Sequence, residues 1–141
     1  IWGDLDYLFI DLPPGTGDVP LTLMQSIPLD GVVIVSSPQD LVGLIVKKSI
    51  HMVQQMAVPI LGVIENMSYF TCPCCGEKTY LFGQGRTKEI LEELDLELLS
   101  QIPIDEEFTQ FSDEGKIEAY GSIKNILEEV AHNINEKLGI L

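Results

Sequence analysis

Four short apolar runs punctuate the chain: Tyr7-Leu-Phe-Ile10, Val32-Val-Ile-Val35, Ile60-Leu-Gly-Val-Ile64 and Leu98-Leu-Ser-Gln-Ile102. Each is bounded by Pro, Asp or other polar residues, which is how strands covered on both faces read. Longer stretches with helical signals lie between them. Asp18 is placed to cap a helix over 19–27 with Pro20 in its first turn, Asp40 to cap one over 41–56, and Thr87 to open one over 88–94. Over 122–138, Ile123, Ile126, Leu127, Val130, Ile134 and Leu138 fall on one stripe at helical spacing. Strands alternating with helices through short connections predict βαβ units and a mostly parallel, doubly wound α/β sheet. Ligands of such sheets bind beyond the carboxyl ends of the strands. The chemistry is therefore expected in the loops 12–17, 36–40, 65–83 and 103–105. Only the stretch of about 67–85 breaks the rhythm, and it reads as an insertion.

A 45 % hydrophobic content over 141 residues supports one compact unit with its own core. The formal net charge of −14 repels phosphate backbones and anionic lipid, and no basic patch offsets it. Neither nucleic acid nor membrane is an expected partner. No apolar stretch reaches the length of a membrane span. The three cysteines fall within four positions, too close for a disulfide framework, and no basic-then-apolar leader opens the chain. A reducing cytoplasm is the expected setting. Ile1 in place of Met, with a strand pattern starting almost at once, suggests the carboxy-terminal part of a longer domain. Strands missing upstream would leave apolar edges bare, so the isolated chain is expected to aggregate.

The string Asp6-Tyr-Leu-Phe-Ile-Asp-Leu-Pro-Pro-Gly-Thr-Gly-Asp18 is an apolar run ending in a carboxylate and entering a Pro-Pro-Gly-x-Gly loop. A Walker B strand has this form: Asp11 would hold Mg²⁺ through water, and the loop has backbone N–H groups free to answer a γ-phosphate. An ordinary strand and turn, with Asp18 as a helix cap, accounts for the spacing as well.

Cys72 and Cys75, in Cys72-Pro-Cys-Cys-Gly76, have the x₂ spacing that brings two thiolates to one metal centre, with glycine allowing the tight turn. Two ligands fall short of the four that zinc or a four-iron cluster takes, and His51 and His132 are isolated from them in sequence. A two-fold dimer joining two such loops would complete the set. Structural zinc shared by a dimer remains open on this reading, as does a redox pair. Cys74 occupies the variable position between the two.

In order and spacing, the string around Asp11, Ser36-Ser-Pro-Gln-Asp40, Glu65-Asn-Met-Ser68, Cys72-Pro-Cys-Cys75 and Ser112-Asp-Glu-Gly-Lys116 resemble the Mrp/ApbC family within the MinD/ParA-like NTPases. The resemblance covers nearly the whole chain. It implies a homodimeric ATPase that binds a labile 4Fe-4S cluster between its CxxC loops, at Cys72 and Cys75, and passes it to apo iron-sulfur proteins. It implies Asp11 as the Walker B carboxylate and Pro13 to Asp18 as the switch loop, with Gly15, Thr16, Gly17 and Asp18 as its site residues. Asn66 would pair with the adenine edge, with Pro103 and Asp105 lining the base pocket. ATP and Mg²⁺ are the implied cofactors, with zinc the alternative to the cluster. The family's glycine-rich phosphate loop has no counterpart here: Gly115-Lys116 precedes Ile117 rather than Ser or Thr. Tight Mg-ATP binding is thus expected of a longer parent rather than of this chain alone. The competing classes are a zinc-clamped dimerisation module and a ParA/MinD-type positioning ATPase without cluster chemistry.

Overall fold

The structure is a computed structural model that describes residues 3–121 and 123–140, with only the backbone of 40–42. Three parallel strands form the sheet, β1 (Val32–Ser36), β2 (Ile60–Glu65) and β5 (Leu98–Gln101), in the order β1-β2-β5. The crossovers are α2 (Asp40–Gln55), between β1 and β2, and α3 (Thr87–Glu93), between β2 and β5. A two-stranded antiparallel hairpin of β3 (Phe70–Thr71) and β4 (Lys78–Thr79) stands in the β2 to α3 connection, where the helix–strand rhythm breaks. Helix α1 (Asp18–Ser26) precedes the sheet; α4 (Glu106–Asp113), a 3₁₀ turn (Ile117–Ala119) and α5 (Lys124–Leu138) follow it.

Because strand side chains alternate between faces, each apolar run supplies two cores. Ile34 and Val63 face Val46 and Ile50 of α2 and Leu91 of α3; Leu61 and Leu99 face Val130 and Ile134 of α5. Helices thus cover both faces, as the doubly wound reading requires. Gly62 lies between these sides with φ of 150°, and a Cβ there would lie 2.6 Å from Leu99 Cγ and 2.9 Å from Glu97 O, so only glycine lets β2 and β5 approach. Lys47 ties α2 to α3 through Glu93 at 2.6 Å, which holds that carboxyl below its ordinary range. Among the described residues no helix is long and apolar enough to cross a membrane.

Several local expectations are corrected. The run 7–10 is not a strand. It is exposed throughout, Leu8 at 57 % and Phe9 at 77 %, and touches the rest of the fold where the Tyr7 hydroxyl donates to Asn135 Oδ1 at 3.0 Å. A strand exists only where a neighbour completes its ladder, and no described strand pairs with this run. Helix α1 starts at Asp18 itself with Gly17 in the cap position, so Asp18 is a first-turn acid, not the cap; Arg86, not Thr87, precedes α3. Gln39 occupies the cap position of α2, while the Asp40 side chain lies outside the described residues, as does Ser122, expected to open the last helix. Leu127 is 47 % exposed, off the buried stripe formed by Ile123, Val130 and Ile134. Helix α4 was not expected. Asp105 caps it by accepting from Glu107 N at 2.9 Å, and Gly115, in the left-handed region at φ 67°, ends it. This is why Gly115-Lys116 stands where it does: Lys116 N–H closes on Phe111 O at 2.9 Å, a helix terminus rather than a phosphate cradle.

Candidate functional site

The sheet's carboxyl edge gathers the loops that follow β1, β2 and β5. The N–H of Asn66 donates to Ser36 O at 2.7 Å, tying the loop after β2 to the end of β1. On the other side Ser68 N–H donates to Ile102 O at 3.0 Å, and Ile104 N–H to Tyr69 O at 2.7 Å. Asn66 and Pro103 therefore sit on adjacent loops, although they are 37 positions apart in sequence. The half-buried Asn66 side chain accepts from Met67 N–H at 2.9 Å through Oδ1, which fixes the amide plane and leaves its NH₂ as the outward donor.

Pro103 and Asp105 line one small cleft with Phe108, Tyr120, Ile123 and Ile126. Both Asp105 oxygens are engaged: Oδ1 caps α4, and Oδ2 accepts a short hydrogen bond from the Tyr120 hydroxyl. Tyr120 is 5 % exposed, its ring packed on Phe108 and Phe111 at centroid distances of 5.8 and 5.5 Å. Sequence reasoning missed Tyr120 because its role depends on a contact fifteen positions away.

Asp11 is exposed, and the loop from Gly15 to Gly17 runs exposed into α1, with Gly15 at φ 91° where a side chain would be strained. Thr16 is exposed as well, and Asp18 opens the helix. An exposed carboxylate is a hard, acceptor-only oxygen ligand of the kind Mg²⁺ takes.

Cys72, Cys74 and Cys75 form the turn of the β3–β4 hairpin, none in a disulfide. The turn is closed at both ends: Cys72 N–H donates to Glu77 O at 2.9 Å and Gly76 N–H to Cys72 O at 2.8 Å, with Gly76 at φ 73°. This folds the chain back so that its amides face the first sulfur. Hydrogen bonds from the Cys74 and then the Cys75 backbone, followed by the Cys75 side chain, hold the Cys72 thiol below its ordinary value, against a smaller opposing effect of burial. The thiolate is the form that ligates metal and attacks electrophiles. Among the described residues, no group of three or more His, Cys, Asp or Glu is placed to hold a metal ion, so one chain offers this pair and no closed cage. One expected result follows from the lowered thiol. Iodoacetamide should alkylate Cys72 at pH values below the range of an ordinary thiol (about 8.5), as peptide mapping across pH 6 to 9 would show; a rate that tracks an unperturbed cysteine would contradict the amide geometry.

A parallel α/β unit whose carboxyl-edge loops are pinned together, with a cysteine hairpin in the connection after β2, has the architecture of nucleotide-binding P-loop domains. The family model described as ParA, NUBPL iron-transfer P-loop NTPase, matches residues 1–138, and the chain belongs to that family. An iron-sulfur cluster carrier protein of Aquifex aeolicus is 43 % identical over 94 % of this chain and 39 % of its own length. The iron-sulfur cluster transfer protein NUBPL of Mus musculus is 44 % identical over 82 % of this chain and 36 % of its own. A nucleotide-binding protein of Archaeoglobus fulgidus, solved in complex with ADP and with Co, superimposes with a TM-score of 0.76 at 52 % identity, over 85 % of this chain and 49 % of that one. The chain thus spans half or less of the length of these relatives.

Proposed function

We propose that the chain works as the carboxy-terminal part of an ATP-dependent iron-sulfur cluster carrier. In this reading two copies meet through their cysteine hairpins in a reducing compartment such as the cytoplasm. Cys72 and Cys75 of each copy supply the thiolates for one bridging 4Fe-4S cluster, the cargo later passed to apo iron-sulfur proteins. The observation that carries the reading is the hairpin turn, whose backbone amides favour thiolate at Cys72 in a loop rooted at the carboxyl edge of the sheet. The names of the relatives point the same way.

Asp11 would hold Mg²⁺ through water, and that ion would neutralise charge on the phosphates. Gly15, Thr16, Gly17 and Asp18 form the loop that senses the γ-phosphate. The Asn66 amide donates to the adenine edge, and Pro103 and Asp105 form the wall of the base pocket, Asp105 by fixing the start of α4. Hydrolysis is attack of water on the γ-phosphorus with release of ADP and phosphate, which requires the phosphate-binding loop of the longer parent.

The test is anaerobic reconstitution of the full-length parent with iron and sulfide. About four irons and four sulfides per dimer are expected. A colourless protein with about one zinc per dimer would replace the carrier reading with a structural clamp.

A further inference from the structure

Glu65, the last residue of the central strand, is 2 % exposed, and a polar side chain is not held there without partners for its oxygens. Gln101 Nε2 donates to its Oε1 at 2.8 Å, and the Ser68 hydroxyl lies 2.8 Å from both Glu65 Oε1 and Glu65 O, donating to one or the other. One side chain thus joins the end of β2, the turn behind it and the end of β5. Asn66 and Met67 are the loop held inside that latch, with Met67 in the left-handed region at φ 57°. Beyond Ser68, which is 1 % exposed, the chain runs beside the segment that follows β5, through Tyr69 and the bridge between Phe70 and Ile104, and Cys72 follows two residues later. The other root of the insertion passes close to the loop after β1: at Gly85 a Cβ would lie 2.6 Å from Pro38 O. The first root of the hairpin passes through the residue assigned to the base.

We propose that Glu65 is a positioning residue which, through Ser68 and Gln101, sets the Asn66 amide and the root of the cysteine hairpin from a single anchor, so that nucleotide occupancy alters the reactivity of Cys72 and Cys75. The inference rests on the nucleotide and cluster reading above and adds to it the residues that connect the two sites. The chemistry suits the role. A carboxylate only accepts, and its two donors come from different segments, so moving the Asn66 loop must shift Ser68, and with it Tyr69 and the hairpin. Linkage makes the binding part of the effect reciprocal: the factor by which ADP changes metal affinity at the thiols is the factor by which metal there changes ADP affinity.

The experiment uses the full-length parent, with ADP as nucleotide and iodoacetamide as thiol probe, alongside Ser68→Ala, Gln101→Leu and Glu65→Gln variants. Saturating ADP is expected to change the Cys72 alkylation rate of the unmodified protein by about fivefold or more, the low end of ordinary coupling between sites. Ser68→Ala and Gln101→Leu each shrink that ratio and together abolish it. Glu65→Gln keeps an acceptor oxygen and preserves it. If the double variant melts earlier yet keeps the unmodified ratio, the latch is merely structural and the proposal is overturned. A parent that binds both ADP and iron with no effect of ADP on the thiols overturns it too and leaves the carrier reading intact. Binding of neither removes the carrier reading, and this inference with it.

Discussion

In the full-length parent, Cys72→Ser and Cys75→Ser should each abolish the reconstituted cluster, while Cys74→Ser should retain it at close to the unmodified iron and sulfide content. The distinction follows from the turn. Cys72 and Cys75 have the spacing that converges on one centre, and the Cys74 contribution to Cys72 comes first through its backbone amide, which serine keeps. Loss should be close to complete in either single variant, because a cluster shared across a two-fold axis loses two of its four ligands at once. Iron, acid-labile sulfide and visible absorption, measured on the same anaerobic samples, decide it. Retention of the cluster in Cys75→Ser combined with loss in Cys74→Ser would move the second ligand to Cys74.

Ile50→Ala should destabilise the protein by about 2–5 kcal/mol, the usual range for truncating a buried Ile. Ile50 has no exposed surface and packs from the middle of α2 onto Ile34 and Val63, so its removal opens a cavity between helix and sheet instead of a dent that solvent fills. Ile45 lies on the same helix and is 52 % exposed; Ile45→Ala should cost about 0.5 kcal/mol or less. Chemical denaturation of the two variants of the parent gives the comparison. Equal large losses would show that the outer face of α2 is covered in the longer protein, and a small loss at position 50 would contradict the core described for this chain.

The sheet strands from residue 30 onward were legible, although α4 was not, because each apolar run there has what it needs within the chain. The runs beginning at Val32, Ile60 and Leu98 pair with one another and bury both faces against α2, α3 and α5, so local composition and final environment agree. The run at 7–10 has the same composition and a different fate, since a strand is a property of a pair. Capping was read less well. Asp18 and Thr87 have cap-forming side chains, yet the helices begin at those residues themselves, a shift within the ordinary uncertainty of helix ends. Asp105, read only as part of a pocket wall, is the residue whose side chain does cap a helix.

By itself the sequence determined the class of fold, the position of the insertion, the spacing of its cysteines and the family, all of which depend on local periodicity and on strings of neighbouring residues. Tertiary structure alone decided that Asn66 and Pro103 are neighbours, that Tyr120 holds Asp105, that the amides of the cysteine turn favour thiolate at Cys72, and that a buried Glu65 stands at the root of both loops. The first and last arise when β5 docks beside β2, the second when the turn after α4 packs back on its start, and the third when the β3–β4 hairpin closes. Residue types reveal which groups can bond, whereas partners distant in sequence are chosen only by the packing of the folded sheet.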